Sequence, residues 1–197
     1  MRILTTVCLL CFPACVFGQR TNVAALQSRC LPTVPLSTLS AVIRVESGGN
    51  PNAMQIDFPG AILKQWHLPE GTLRLKHQPA TQREALEWLG YFERRGIFVD
   101  VGLMQVSTME AKRRGIPVES LIDPCFNLRA GWQILDCAYQ LEMKTYGPGQ
   151  EALQHALSRY NTGDTQRGID NGYLARVMAA LRQSPATTSP TRGENRR

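Results

Sequence analysis

Apolar residues recur at helical spacing along most of this chain, and most of the runs stop at a glycine. Leu39, Val42 and Ile43 fall at i, i+3 and i+4, which marks one face of a helix. That run ends at Gly48-Gly49-Asn50-Pro51, a cluster of residues that break helices. Ser37, just after Pro35, is the expected N-cap. From Arg83 to Arg95 the spacing returns, with Leu86, Leu89 and Phe92 turned inward and Gly96 as the stop. Ser107-Thr108-Met109-Glu110 reads as a capping box, and Gly115 closes that short helix. Asp123-Pro124 supplies an N-cap and a proline in the first turn. The helix that follows is expected to bury Leu128, Trp132, Leu135 and Tyr139. Leu153, Ala156, Leu157 and Tyr160 share a stripe, as do Tyr173, Val177 and Leu181. Ile97 to Val106 is apolar but short, and fits either a buried loop or a strand. Residues 48–80 are rich in proline and glycine and read as loop. The pattern predicts one compact, mainly α domain over residues 19–183.

The two ends read differently. Arg2 followed by the mostly apolar stretch Ile3 to Phe17 has the form of a secretory signal, with cleavage expected after Gly18. That stretch is shorter than the roughly 20 residues a spanning helix needs. The mature chain is therefore expected outside the cytoplasm, without a transmembrane segment. Residues 184–197, rich in Ser, Thr, Pro and Arg, are too polar to pack and are expected to be disordered. The formal net charge of +6 suits an anionic partner. No basic stripe carries interleaved aromatics, which argues against nucleic acid and leaves the anionic bacterial cell wall as an equal candidate. Cys8, Cys11 and Cys15 leave with the signal, and Cys30, Cys125 and Cys137 remain. Three cysteines allow one internal bridge in three possible pairings. They lie far apart without a CxxC unit, so a zinc site is not expected, and no cofactor is.

Two residues at stripe ends carry the chemistry. Glu46 takes the i+7 position of the Leu39 stripe, at the point where the chain turns away. A carboxyl held against apolar surface resists ionising and can keep a proton near neutral pH for delivery to a leaving group. The competing reading is a side chain that reaches solvent or pairs with Arg44. Tyr160 stands likewise at the end of its stripe, before Asn161-Thr162-Gly163-Asp164, with its ring packed and its hydroxyl turned to a cleft. If both ends meet, Tyr160 is placed to hydrogen-bond Glu46. Between Asp100 and the capping box, Gly102-Leu103-Met104-Gln105 combines a permissive backbone with an amide suited to sugar hydroxyls or acetamido groups. His67, His77 and His155 form no metal motif, and no phosphate-binding glycine loop or serine elbow is present.

Taken in order, Glu46-Ser47-Gly48-Gly49-Asn50-Pro51, Gly102-Leu103-Met104-Gln105-Val106 and Tyr160-Asn161-Thr162-Gly163 resemble the lytic transglycosylases of the goose-type-lysozyme-like superfamily. Asp123-Pro124-Cys125-Phe126-Asn127-Leu128 with Gly131, Cys30-Leu31-Pro32-Thr33-Val34 and Cys137 are similar to the branch attached to type IV secretion and conjugation machines. The resemblance runs from about Cys30 to Val177 and implies a lysozyme-like helical fold. It implies Glu46 as the single catalytic acid/base, with Ser47, Gln105, Tyr160 and Asn161 around the glycan, and Tyr160 as the hydrogen-bond partner of Glu46. Arg159 departs from the small residue usual before Tyr-Asn, and would either crowd the groove or meet a peptide carboxylate. Ser107 replaces the asparagine usual in this branch. A bridge between Cys30 and Cys125 is expected, because it would tie the start of the domain to the entrance of the Asp-Pro-Cys helix.

The implied reaction cleaves the bond from N-acetylmuramic acid to N-acetylglucosamine and closes an anhydro ring with the sugar's own primary hydroxyl, so that one carboxyl suffices. Most glycosidases need two. Asp100 and Asp164 are the candidates for a second, and either would turn the chain into a hydrolytic muramidase. A wall-binding scaffold without turnover is the remaining alternative. The implied partners are peptidoglycan strands and components of a secretion or conjugation apparatus, in the periplasm.

Overall fold

The computed structural model describes residues 21–57, 75 and 77–183. The expected leader and tail, and most of the stretch from residue 58 to residue 76, lie outside these residues. Helix α1 (Val23–Cys30) and α2 (Leu36–Glu46) precede strand β1 (Met54–Asp57). Helix α3 (Gln82–Glu93) leads to β2 (Phe98–Val101) and β3 (Val106–Ser107). Then come α4 (Thr108–Arg113), a 3-10 turn (Val118–Ile122), α5 (Pro124–Tyr146), α6 (Gln150–Thr162), α7 (Arg167–Asp170) and α8 (Tyr173–Gln183). The protein is thus mainly α, with one small antiparallel sheet in the order β1-β2-β3.

Local chemistry explains most of the element ends. Asp123 accepts a hydrogen bond from the Phe126 amide and opens α5, with Pro124 in the first turn. Gly163 closes α6 in the left-handed conformation at φ +73°, which a residue with a Cβ resists. The apolar segment at 97–106 becomes two strands joined by a turn. Val99, Val101 and Val106 face the core, and Asp100 pairs with Gln55 on one side and Ser107 on the other. Four expectations need correction. Pro35 rather than Ser37 stands at the N-cap of α2, because the fixed proline φ already starts the turn there. Leu86 is exposed, since the buried stripe of α3 is Ala85, Leu89 and Phe92, one residue round the helix. Trp132 and Tyr139 are only partly buried along α5. Met54–Asp57, inside the stretch read as loop, is strand β1, because its backbone pairs with β2.

Leu39, Val42 and Ile43 of α2, Leu128 and Leu135 of α5, Leu157 of α6 and Tyr173 and Val177 of α8 meet in one core. Cys30 and Cys125 are joined by a disulfide, which ties the end of α1 to the first turn of α5. Cys137 is free and exposed.

Candidate active site

Glu46 is the last residue of α2. Ahead of it the backbone swings through Gly48 and Gly49 at φ +63° and +84°, a path that costs glycine little. The carboxyl is thereby left at the edge of the core with protein around it. Burial pushes its pKa from 4.5 up to about 7; the Tyr173 hydrogen bond and the positive charge of Arg176 pull in the other direction. At neutral pH the group therefore divides between acid and carboxylate, which is the condition for giving and taking back one proton.

The tyrosine that holds Glu46 is not the expected one. The Tyr173 hydroxyl, from the first turn of α8, donates to Glu46 Oε1 at 2.5 Å. Tyr173 is 1% exposed, and burial together with the Glu46 charge raises its own pKa well above the ordinary tyrosine value. It stays protonated and donates to Glu46 when that group is a carboxylate. Tyr160 instead donates to the Met104 carbonyl at 2.6 Å. Its pKa is also raised, by burial first and then by the charges of Glu46 and Asp100. Apolar spacing places Tyr173 on the core face of the last helix and carries no sign of Glu46. The only signal that it serves the site is its place right after Gly172, at the start of a helix, where a long side chain can reach past the core.

Ser47, Gln105 and Tyr160 do come together, around the turn between β2 and β3. The Ser47 hydroxyl reaches the Leu103 carbonyl at 2.9 Å and the Ile43 carbonyl at 3.1 Å, with one proton for the two. Gln105 stands in the left-handed region at φ +47°, a strained backbone for a residue with a side chain. Its Nε2 donates to the carbonyls of Gly102 at 2.9 Å and Ala53 at 3.1 Å, which fastens the turn to the residue just before β1. Asn161 is exposed at the end of α6, and its Oδ1 accepts from Asn171 Nδ2 at 3.1 Å. Asn171 Oδ1 in turn accepts the Tyr173 amide at 2.9 Å, so Asn161 is linked through one residue to the helix end that holds Glu46.

Two further expectations change. Arg159 neither fills the groove nor waits for a ligand; its Nε donates to Oε1 of the buried Glu142 at 2.5 Å. The other oxygen of Glu142 accepts from Thr165. A buried carboxylate needs such a partner. Asp164 is not placed as a second acid. Its Oδ1 accepts the amides of Gln166 and Arg167, and these bonds hold its pKa below the usual value. Asp100 remains on β2, with its charge felt at Tyr160. Among the described residues, no group of three or more His, Cys, Asp or Glu is arranged to hold a metal ion. No described helix is long and apolar enough to cross a membrane.

This arrangement can be set beside known proteins. The family model described as the transglycosylase SLT domain matches residues 24–174. The chain is 32% identical to type IV secretion system protein virB1 of Brucella abortus, over 84% of this chain and 65% of that protein. It is 31% identical to protein virB1 of Agrobacterium fabrum, over 88% of this chain and 64% of the relative. The chain thus spans a little under two thirds of the relatives it matches. No solved structure matches it.

Proposed function

Because the chain belongs to the transglycosylase SLT domain family, we propose that it is a peptidoglycan lytic transglycosylase with Glu46 as its acid/base. The observation that carries this reading is the Glu46 carboxyl at the end of α2, held by the Tyr173 hydroxyl at 2.5 Å, with burial pushing its pKa up to about 7. Protonated Glu46 gives its proton to the oxygen that links N-acetylmuramic acid to N-acetylglucosamine, and the C1–O bond breaks. The carboxylate so formed takes a proton from the muramyl 6-hydroxyl as that oxygen bonds to C1, which closes the anhydro ring and restores the acid. No water is consumed and one carboxyl serves both steps. Tyr173 stabilises the carboxylate between the two proton transfers. Gln105, through the oxygen of an amide whose protons hold the turn, and Asn161 are the groups offered to the glycan, while Ser47 and Tyr160 support the turn that carries Gln105.

The site of action follows from the leader expected at residues 1–18, which would deliver the domain at 19–183 to the periplasm, with 184–197 as a polar tail. The name of the Brucella relative, a type IV secretion system protein, supports placing this activity beside a secretion or conjugation apparatus, where it would open the wall locally. The decisive experiment is mass spectrometry of fragments released from purified peptidoglycan by the mature chain and by Glu46→Gln. Anhydromuramyl ends from the parent that vanish in the variant are the expected result. Reducing ends would mean that water attacks, and would make Asp100, whose charge reaches Tyr160, the second carboxyl of a muramidase. Equal wall binding by both proteins with no fragments would leave a scaffold.

A further inference from the structure

The turn that carries Gln105 has few hydrogen bonds of its own. Leu103 and Met104 are completely buried, and their polar backbone atoms need partners that a three-stranded sheet does not supply. Two come from the residues described above: Ser47 reaches the Leu103 carbonyl and Tyr160 the Met104 carbonyl. The Met104 amide goes to Asn127, whose Oδ1 accepts it at 2.8 Å. The same side chain uses Nδ2 to donate to the Val101 carbonyl at 2.8 Å and the Leu121 carbonyl at 3.0 Å. Asn127 is 0% exposed, in the first turns of α5.

We propose that Asn127 is a positioning residue for glycan binding: from α5 it locks the Gly102–Met104 turn in place and so sets the strained backbone of Gln105. The head group needed is one acceptor beside two donors in a plane, which the carboxamide of Asn provides and a carboxylate or an alkyl group does not. Gly102 belongs to the same device. A Cβ built there would stand 2.4–2.9 Å from the Asn127 amide group, so the turn can sit on Asn127 only because residue 102 has no side chain. The turn is thus gripped at once by Ser47, just past the end of α2, and from α5 and α6. A backbone at φ +47° persists only where its surroundings over-determine it. This role rests on the reading that Gln105 contacts the glycan.

The test uses the full oxidised chain in a Glu46→Gln background, with and without Asn127→Ala, and reads two quantities. One is hydrogen exchange at the Met104 amide; the other is binding of a tetramer of N-acetylglucosamine. Loss of the acceptor is expected to speed Met104 exchange by about 100-fold and to weaken tetramer binding about tenfold, with exchange at Val42 and Ile43 of α2 unchanged. Asn127→Asp, which keeps the acceptor and loses the donors, is expected to fall between the two, and decides the matter if the alanine variant loosens α2 as well. Unchanged Met104 exchange in Asn127→Asp and Asn127→Ala would overturn the proposal, and so would tetramer binding that does not fall when Met104 opens. A parent that binds no tetramer would sink the glycan reading of Gln105, and the proposal with it; binding that is present but indifferent to Asn127 would sink only the proposal.

Discussion

At the scale of single residues, the site rests on which tyrosine meets which oxygen. Tyr173 stabilises the carboxylate form of Glu46, so its removal raises the Glu46 pKa further. Tyr173→Phe is therefore expected to move the alkaline limb of the pH–rate profile upward and to lower kcat about tenfold, since a charge-assisted bond in the carboxylate state is lost. A profile that stays in place would show that Tyr173 does not govern the proton. Stability gives an independent check on Glu46. Its folded pKa, about 7, lies above its unfolded value, so the group's contribution is fully present below about pH 4.5 and is lost as the pH rises through 7. Glu46→Gln is expected to match the parent in denaturant melts at pH 4 and to exceed it at pH 8, where the half-buried carboxylate is a burden. The sequence signals for this acid were good: a carboxyl on an apolar stripe before a run of breakers. Those for its partner were poor, because Tyr160 and Tyr173 both end or begin apolar stripes, and spacing along one helix says nothing about reach across to another.

At the scale of elements, α5 is the piece on which the Gly102–Gln105 turn is assembled. Its first turn takes the disulfide, its second presents Asn127, and Gly131 forms the floor beneath Met104. A Cβ at Gly131 would stand 2.4 Å from Met104 Cβ and 3.1 Å from the Tyr160 hydroxyl. Gly131→Ala is therefore expected to cost about 1–3 kcal/mol of stability and to weaken tetramer binding in the same assay, because Met104 must shift and take the Gln105 turn with it. A variant as stable and as tight as the parent would show that the turn has slack. The helices themselves were legible through their periodicity and their caps, Asp123-Pro124 above all. The strands were less so: four residues of β2 give too short a run to separate a strand from a buried loop.

At the scale of the whole molecule, the disulfide joins residues 95 positions apart. It binds the opening helix to the long central one. By loop-closure entropy such a link contributes on the order of 4–5 kcal/mol, and replacing Cys30 and Cys125 together by alanine is expected to lower the denaturation midpoint accordingly. A double variant as stable as the parent would assign the stability to the core alone. By itself the sequence determined what is local: where helices start and stop, which stripes turn inward, and that a carboxyl closes one of them. Resemblance of its motifs added the family. Only the tertiary structure decided which side chains meet. Hydrogen bonds such as Tyr173 to Glu46, Asn127 to Met104 and Arg159 to Glu142 join residues 127, 23 and 17 positions apart, and their partners depend on how helices cross. A one-dimensional period records the face a residue occupies; it does not record the distance from that face to the next.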